Sequence, residues 1–317
     1  MSDVEAIKNA LLKYHKLRQE IAKVIVGQDE VITQVLTSIF SGGHVLLIGV
    51  PGLAKTLMVH TISKALGLQF KRIQFTPDLM PSDILGSEIL NKDRQFEFIK
   101  GPVFSNIVLA DEINRTPPKT QAALLEAMQE RAVTVAGHSY TLDPPYFVLA
   151  TQNPIEQEGT YPLPEAQLDR FMFAIHLEYP STAHEVQVVK QTTSDQNPQA
   201  DIVFDANSVI EFQSLIRKIP VADNVIEYAV SIVSKSRPNS STASDLVQNY
   251  VAWGAGPRAS QNLILAAKTN AVLNGKFTPD SEDVQTVATG VLRHRIIKNY
   301  KADAEGVTID EIIKDLF

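Results

Sequence analysis

From about residue 40 to residue 177, short β-branched or apolar runs alternate with longer segments whose apolar positions recur every three or four residues. Short apolar runs bounded by turn formers read as buried strands, and the longer spacing reads as amphipathic helix. Strands are predicted at His44–Gly49, Phe70–Phe75, Asn106–Ala110, Tyr146–Thr151 and Phe173–Leu177. Between them, Lys55–Leu66 and Thr120–Glu130 are predicted to be helices that cross over a mostly parallel sheet.

Two segments interrupt this rhythm. In Asp83–Pro102, Glu88–Leu90 and Phe96–Ile99 are predicted to pair as a hairpin around Asn91–Gln95; in Ala132–Tyr146, Val133–Val135 and Ser139–Leu142 flank Ala136–His138 in the same way. Phe96 and Phe98 alternate as on one face of a strand, which predicts packing against the core. After Tyr179–Pro180 the strand pattern stops and helical spacing takes over, interrupted by polar stretches at Gln191–Ala200 and Arg237–Ser244 that read as loops. The chain is therefore read as an α/β core over residues 1–180 followed by a helical domain over residues 181–317. Trp253 is expected to pack near the hinge between them. The basic run Arg293–Lys298 reads as the solvated face of a helix.

Composition narrows the chemistry. The 317 residues are 44% hydrophobic and 21% charged, which is ordinary for a soluble globular chain. With 29 Lys and Arg against 36 Asp and Glu, the formal charge of -7 disfavours a nucleic-acid or anionic-lipid partner. Cysteine is absent, which excludes disulfides, thiolate metal sites and a thiol nucleophile and fits the reducing cytoplasm. Neither a secretory leader nor a membrane-spanning run is read, so direct membrane insertion is not expected. The seven histidines form no His-x-His or His-Glu-x-x-His arrangement.

The strongest chemical signal is Gly49-Val50-Pro51-Gly52-Leu53-Ala54-Lys55-Thr56, followed by Leu57, between a predicted strand and a predicted helix. Backbone N–H groups of such a loop and the positive end of the helix cradle phosphate oxygens. Lys55 would neutralise the β- and γ-phosphates of ATP, and the Thr56 hydroxyl would ligate Mg²⁺. Ala54 stands where the general pattern has its last glycine, and its methyl is expected to fit because the backbone there is already helical. Downstream, Ile107–Ala110 ends in Asp111 and Glu112, suited to a metal partner and to a base that orients or deprotonates water. Asn153, at the end of the next strand, could hold a water, although Asn before Pro is also a turn former. Arg170 and Arg258 are either surface ion-pair residues or stabilisers of phosphoryl charge.

Together these stretches resemble the MoxR branch of the AAA+ ATPases. The likeness runs through Val26-Gly27-Gln28, the variant loop with its Ala54, Leu109–Arg115, Gln121–Glu130, Ala150–Pro154, Leu163–Phe171 and Gly256–Ala259. The resemblance implies a five-stranded parallel sheet ordered 5-1-4-3-2 with a C-terminal helical lid. It implies Gly27 and Gln28 beside adenine, Asn153 as sensor 1, Arg170 as the finger reaching a neighbour's nucleotide, and Arg258 as sensor 2. It further implies homo-oligomeric rings, often hexamers, that remodel a protein client, in this family commonly with a von Willebrand factor A-type partner. A magnesium-chelatase-like motor subunit, a helicase-like motor and a nucleotide-gated scaffold are the alternatives.

Overall fold

Ile107–Asp111 is buried at every position, and Phe147–Gln152 at all but its last. Strands buried on both faces need cover above and below. The computed structural model, which describes residues 3–156, 158–195 and 198–317, provides it around one parallel sheet. Its strands are β1 (Val45–Ile48), β2 (Phe70–Gln74), β3 (Ile107–Asp111), β4 (Phe147–Gln152) and β5 (Phe173–His176). They lie in the order 2-3-4-1-5, which from the other edge is the expected 5-1-4-3-2.

Because side chains alternate across a strand, each strand feeds two cores. Val45, Leu47, Ile107, Leu109 and Leu149 face α1 (Asp3–Ala22), α2 (Asp29–Ser41) and α3 (Lys55–Ala65). Leu46, Val108, Ala110, Val148 and Ala150 face α4 (Pro118–Glu130). The continuous apolar runs in the sequence arise from this double burial.

The second half of the chain contributes α5 (Thr182–Thr192), α6 (Ala206–Lys218), α7 (Asp223–Lys235), α8 (Pro257–Leu273) and α9 (Ser281–Leu292). All but α5 join the first core. Phe40 of α2 meets Phe212 of α6 with ring centroids 4.6 Å apart, and Gly290 of α9 sits so close to Phe173 of β5 that an added Cβ would lie 2.5 Å from the ring. The helices are thus seated on the α2 side of the sheet. None of the described helices is long and apolar enough to cross a membrane.

Both inserted hairpins form: Gly86–Leu90 with Phe96–Lys100, and Ala132–Val135 with His138–Thr141. Gly86 closes the base of the first with φ 98°, where a Cβ would come within 2.1 Å of the Ile99 carbonyl. Phe98 stacks on Tyr140 at 4.1 Å, so the hairpins lean on each other. Phe96, by contrast, is 76% exposed, and the expectation that both rings pack is corrected for this one.

Other expectations change as well. Strands do recur after residue 180: Val251–Trp253 (β6) pairs antiparallel with Ile297–Lys298 (β7), segments too short to produce a period-two signal. Trp253 is 70% exposed rather than packed. Arg293–Lys298 is no solvated helical face, because α9 ends at Leu292 and Arg295 is only 6% exposed. Helix α5 extends into the polar stretch Gln191–Ala200, in which Gln196 and Asn197 lie outside the described residues.

Candidate nucleotide site and arginine cleft

The loop Gly49–Ala54 leaves the carboxyl end of β1 and enters α3. The first bond within this helix runs from Met58 N–H to the Ala54 carbonyl, so the N–H groups of Lys55, Thr56 and Leu57 precede the ladder at the positive helix end. Lys55 Nζ closes the loop by donating to the Gly49 carbonyl at 2.5 Å. Burial pushes the Lys55 ammonium below its ordinary pKa, opposed by the charges of Asp111, Glu112 and Glu156. Thr56 is half-buried at the loop's inner rim, whereas Leu57 is 45% exposed.

Ala54 departs from expectation. It is not helical but left-handed, with φ 54° and ψ 25°, as the N-cap of α3. For a residue with a Cβ this costs roughly 1–2 kcal/mol, which explains why glycine suits the position in the general pattern.

Since β3, β4 and β1 are neighbours, their carboxyl ends bring Asp111, Glu112 and Asn153 to the loop's edge of the sheet. Gly49 N–H donates to the Gln152 carbonyl across that edge at 3.1 Å. Glu112 leaves β3 with φ 58°. Its N–H donates to Thr151 Oγ1 at 2.8 Å, and Thr151 in turn donates to Asp111 Oδ1 at 2.6 Å. The second Asp111 oxygen accepts from Arg72 Nε at 2.9 Å, with Nη2 of the same guanidinium 2.8 Å away as an ion pair. The Glu112 carboxylate accepts from Gln74 Nε2 at 2.8 Å and from Arg115 at 3.1 Å. Asn153 is buried, and its Oδ1 accepts from Ile155 N–H, so the turn-forming role is present alongside its position at the site. Two oxygen donors of hard character, the Thr56 hydroxyl and the Asp111 carboxylate, suit Mg²⁺.

Gly27 and Gln28 stand nearby, before α2. Gly27 has φ 74°, with the His184 ring of α5 where a Cβ would be, and Gln28 reaches the Glu178 carbonyl at 3.5 Å. They rim a cavity of about 510 Å³ between α2, β5 and α9, which none of residues 49–57 lines. This cavity therefore borders Gly27 and Gln28 and does not include the loop itself.

Arg170 and Arg258 lie at the opposite end of the sheet. Arg170 precedes β5, whose entry is pinned by Met172 N–H to the His44 carbonyl ahead of β1. Its guanidinium donates to the Leu125 carbonyl of α4 at 2.7 Å. Arg258, in the first turn of α8, pairs with Asp169 at 2.8 Å. Together with Arg131 they line a cleft of about 260 Å³ whose wall contains no carboxylate. Thus Lys55, Thr56, Asp111, Glu112 and Asn153 come together, Arg170 and Arg258 come together, and the two sets are separated by the length of the strands.

Sequence reasoning missed Arg72, Gln74 and Thr151, which surround the two acids from neighbouring strands, and Arg295. Arg295 donates to Asp169 Oδ1 at 2.7 Å and to the carbonyls of Asp169, Phe171 and Met172, while His294 bonds the Phe171 carbonyl at 2.9 Å. The segment carrying Arg170 is held from the helical half of the chain. The density of basic residues in Arg293–Lys298 was the available signal.

Known proteins fit this architecture. Residues 44–173 match the ATPase family associated with various cellular activities (AAA), and residues 243–316 match the AAA lid domain. The chain is 43% identical over 295 residues to Chaperone MoxR1 of Mycobacterium tuberculosis, covering 93% of this chain and 78% of that one. It is 44% identical over 303 residues to YeaC of Bacillus subtilis, covering 95% and 92%, and 30% identical over 310 residues to Protein MoxR of Methylorubrum extorquens, covering 89% and 86%. A crystal structure from Cytophaga hutchinsonii described as an ATPase superposes with a TM-score of 0.93 at 45% identity, over 98% of this chain and 95% of that one. With its phosphate loop, its acidic strand end and its helical lid, the chain belongs to the MoxR branch of the AAA+ ATPases.

Proposed function

We propose that this chain hydrolyses ATP with Mg²⁺ as its metal and works as a homo-oligomeric ring, six-membered as in many family members, that remodels a protein client. The carrying observation is the separation of the two half-sites. Acids and phosphate loop occupy one end of the sheet, and the arginine cleft occupies the other. Head-to-tail association would join the arginine end of one copy to the phosphate end of the next, and such heterologous contacts close into rings.

In this reading Lys55 and the N–H groups at the start of α3 hold the β- and γ-phosphates. Thr56 and Asp111 hold Mg²⁺, which when bound offsets phosphate charge. Asn153 orients the attacking water, Glu112 accepts its proton, and Arg170 of the adjoining copy meets charge on the transferring phosphoryl group. Arg258, beside Arg170, acts on that same neighbouring nucleotide, and Gly27 and Gln28 border the adenine. The name of the Mycobacterium tuberculosis relative, a chaperone, supports a protein client. A von Willebrand factor A-domain protein is the client class we favour.

The test is steady-state ATP hydrolysis against protein concentration for the native chain, Glu112→Gln, Arg170→Ala and an equimolar mixture of the two variants. Cooperative activity, two nearly inactive variants and partial recovery on mixing are expected. Flat activity per chain with an unimpaired Arg170→Ala would leave a monomeric ATPase or a nucleotide-gated scaffold in its place.

A further inference from the structure

Arg72 and Gln74 are two residues apart on edge strand β2, so they share a face, and Gln74 stands directly across from Asp111 in the parallel register. Ile73 between them turns the other way into the core. This face carries a closed circuit of hydrogen bonds. Arg72 donates to Asp111 and to Gln74 Oε1, Gln74 Nε2 donates to Glu112, Glu112 N–H donates to Thr151, and Thr151 donates back to Asp111.

The donor inventory makes the circuit directional. A guanidinium only donates and an ionised carboxylate only accepts, whereas a glutamine amide has one end of each kind. With Arg72 on one side and Glu112 on the other, Gln74 has one satisfactory orientation, carbonyl toward Arg72 and amine toward Glu112. Without Arg72, nothing in the circuit holds the carbonyl end, and the amide can rotate away from Glu112. Arg72 also stands as a counter-charge to Asp111, which is adjacent to a second carboxylate in sequence and only 11% exposed at its side chain.

We propose that Arg72 is a positioning residue for hydrolysis: it fixes Asp111 directly and sets the Glu112 carboxylate through Gln74. Its hydrogen bonds go to Asp111 and Gln74 and not to Lys55 or Thr56, the residues that cradle phosphate, so its contribution falls on turnover more than on ATP binding. This rests on the reading of Glu112 as the base.

The experiment measures kcat, affinity for a fluorescent ATP analogue and the melting temperature for the native chain, Arg72→Ala, Gln74→Ala and the double variant. Lys71→Ala, exposed on the opposite face of the same strand, serves as a control expected to match the native chain. Arg72→Ala should lower kcat at least about tenfold while analogue affinity stays within about threefold. Removing Arg72 should cost at least about threefold less when Gln74 is already alanine, because residues acting through one another are not additive. A kcat within about twofold of native, or equal costs in both backgrounds, overturns the proposal. Should Arg72→Ala melt below the assay temperature, Arg72→Lys keeps the charge and loses the fork. Reduced kcat at native affinity is then expected, and a native kcat overturns the proposal. Glu112→Gln separates the two readings. Full activity there defeats the hydrolytic assignment itself, whereas an inactive Glu112→Gln beside an unimpaired Arg72→Ala defeats only the role of Arg72.

Discussion

His44 sits at the entrance to β1, buried, with Nδ1 accepting from Val148 N–H at 3.0 Å and Nε2 against the Met128 carbonyl at 3.2 Å. That pairing requires the neutral ring with its proton on Nε2. Burial lowers its pKa to about 4, with the charge of Arg131 acting in the same direction and the Met128 bond against it. Above the ordinary histidine value of about 6.5, neither the folded nor the unfolded chain protonates this ring. As pH falls from there toward 4, the unfolded chain takes up the proton and the folded chain does not, so stability drains away across that window, by on the order of 3 kcal/mol for this group. His294, also pushed well below its ordinary value by burial and by Arg295, adds in the same direction. The melting temperature should therefore drop between pH 7 and pH 5, and the drop should shrink in His44→Gln, whose amide can accept from Val148 and donate to Met128. An unchanged slope in that variant would rule out His44 as its source. At this scale the sequence reveals contiguous chemistry and hides chemistry assembled from neighbours. Gly49–Thr56 and the pair Asp111–Glu112 are visible because adjacent residues carry them. Arg72 and Thr151 come from other strands, 39 and 40 positions from Asp111. Ala54 was legible as a departure but not as a left-handed residue, since φ there is set by the loop's need to turn into α3.

Between elements, α4 connects the two ends of the sheet. Gln121, in its first turn, donates from one buried amide to the carbonyls of Ile113, Thr116 and Tyr161, tying the turn after Glu112 to the stretch that leads to Arg170. Its thirteen residues reach about 20 Å, ending where Leu125 accepts from Arg170 and Met128 meets His44. From the other side, Arg295 clamps Asp169–Met172. Replacing it with methionine keeps the volume but leaves the Asp169 carboxylate with Arg258 alone and takes a donor from the Asp169 and Met172 carbonyls, while the Phe171 carbonyl keeps His294. Because Asp169 is a third exposed and keeps Arg258, the loss falls mainly on the unpaired carbonyls, about 1–3 kcal/mol, so Arg295→Met should melt below the native chain and lose ATP turnover along with the ordering of Arg170. A melting temperature within a degree or so of native, about 0.5 kcal/mol or less, would mean that the clamp is redundant. The five sheet strands and both hairpins were readable in the sequence because double burial and alternation leave strong periodic marks. The β6–β7 ribbon and the buried Arg295 were not, because one is too short for a period and the other resembles any basic surface run until its partners are known.

Across the whole molecule, the two half-sites differ in how their charges are matched. The phosphate end of the sheet sets Asp111, Glu112 and Glu156 against Lys55, Arg72 and Arg115, while the far end gathers Arg131, Arg170 and Arg258 around a cleft whose wall has no carboxylate. A net charge of -7 conceals this basic cleft because it sums over the whole chain. The location of Arg258 followed from how α8 packs on α2, and no local pattern around Gly256–Ala259 encodes that. An arginine-rich cleft repels its own copy and attracts an anionic surface such as a bound nucleotide, which supports the proposed head-to-tail arrangement over a two-fold dimer that sets cleft against cleft. If exposed charge drives that arrangement, salt must oppose it, since the Debye length shrinks from about 10 Å at 0.1 M to about 3 Å at 1 M. Sedimentation velocity with a slowly hydrolysed ATP analogue should show the assembled species giving way to monomer as salt rises over that range. Arg131→Glu, which inverts one wall of the cleft and leaves the phosphate end untouched, should shift the same transition to lower salt. An assembly indifferent to both changes would have to be held by apolar contact, with the exposed Trp253 as the first residue to replace.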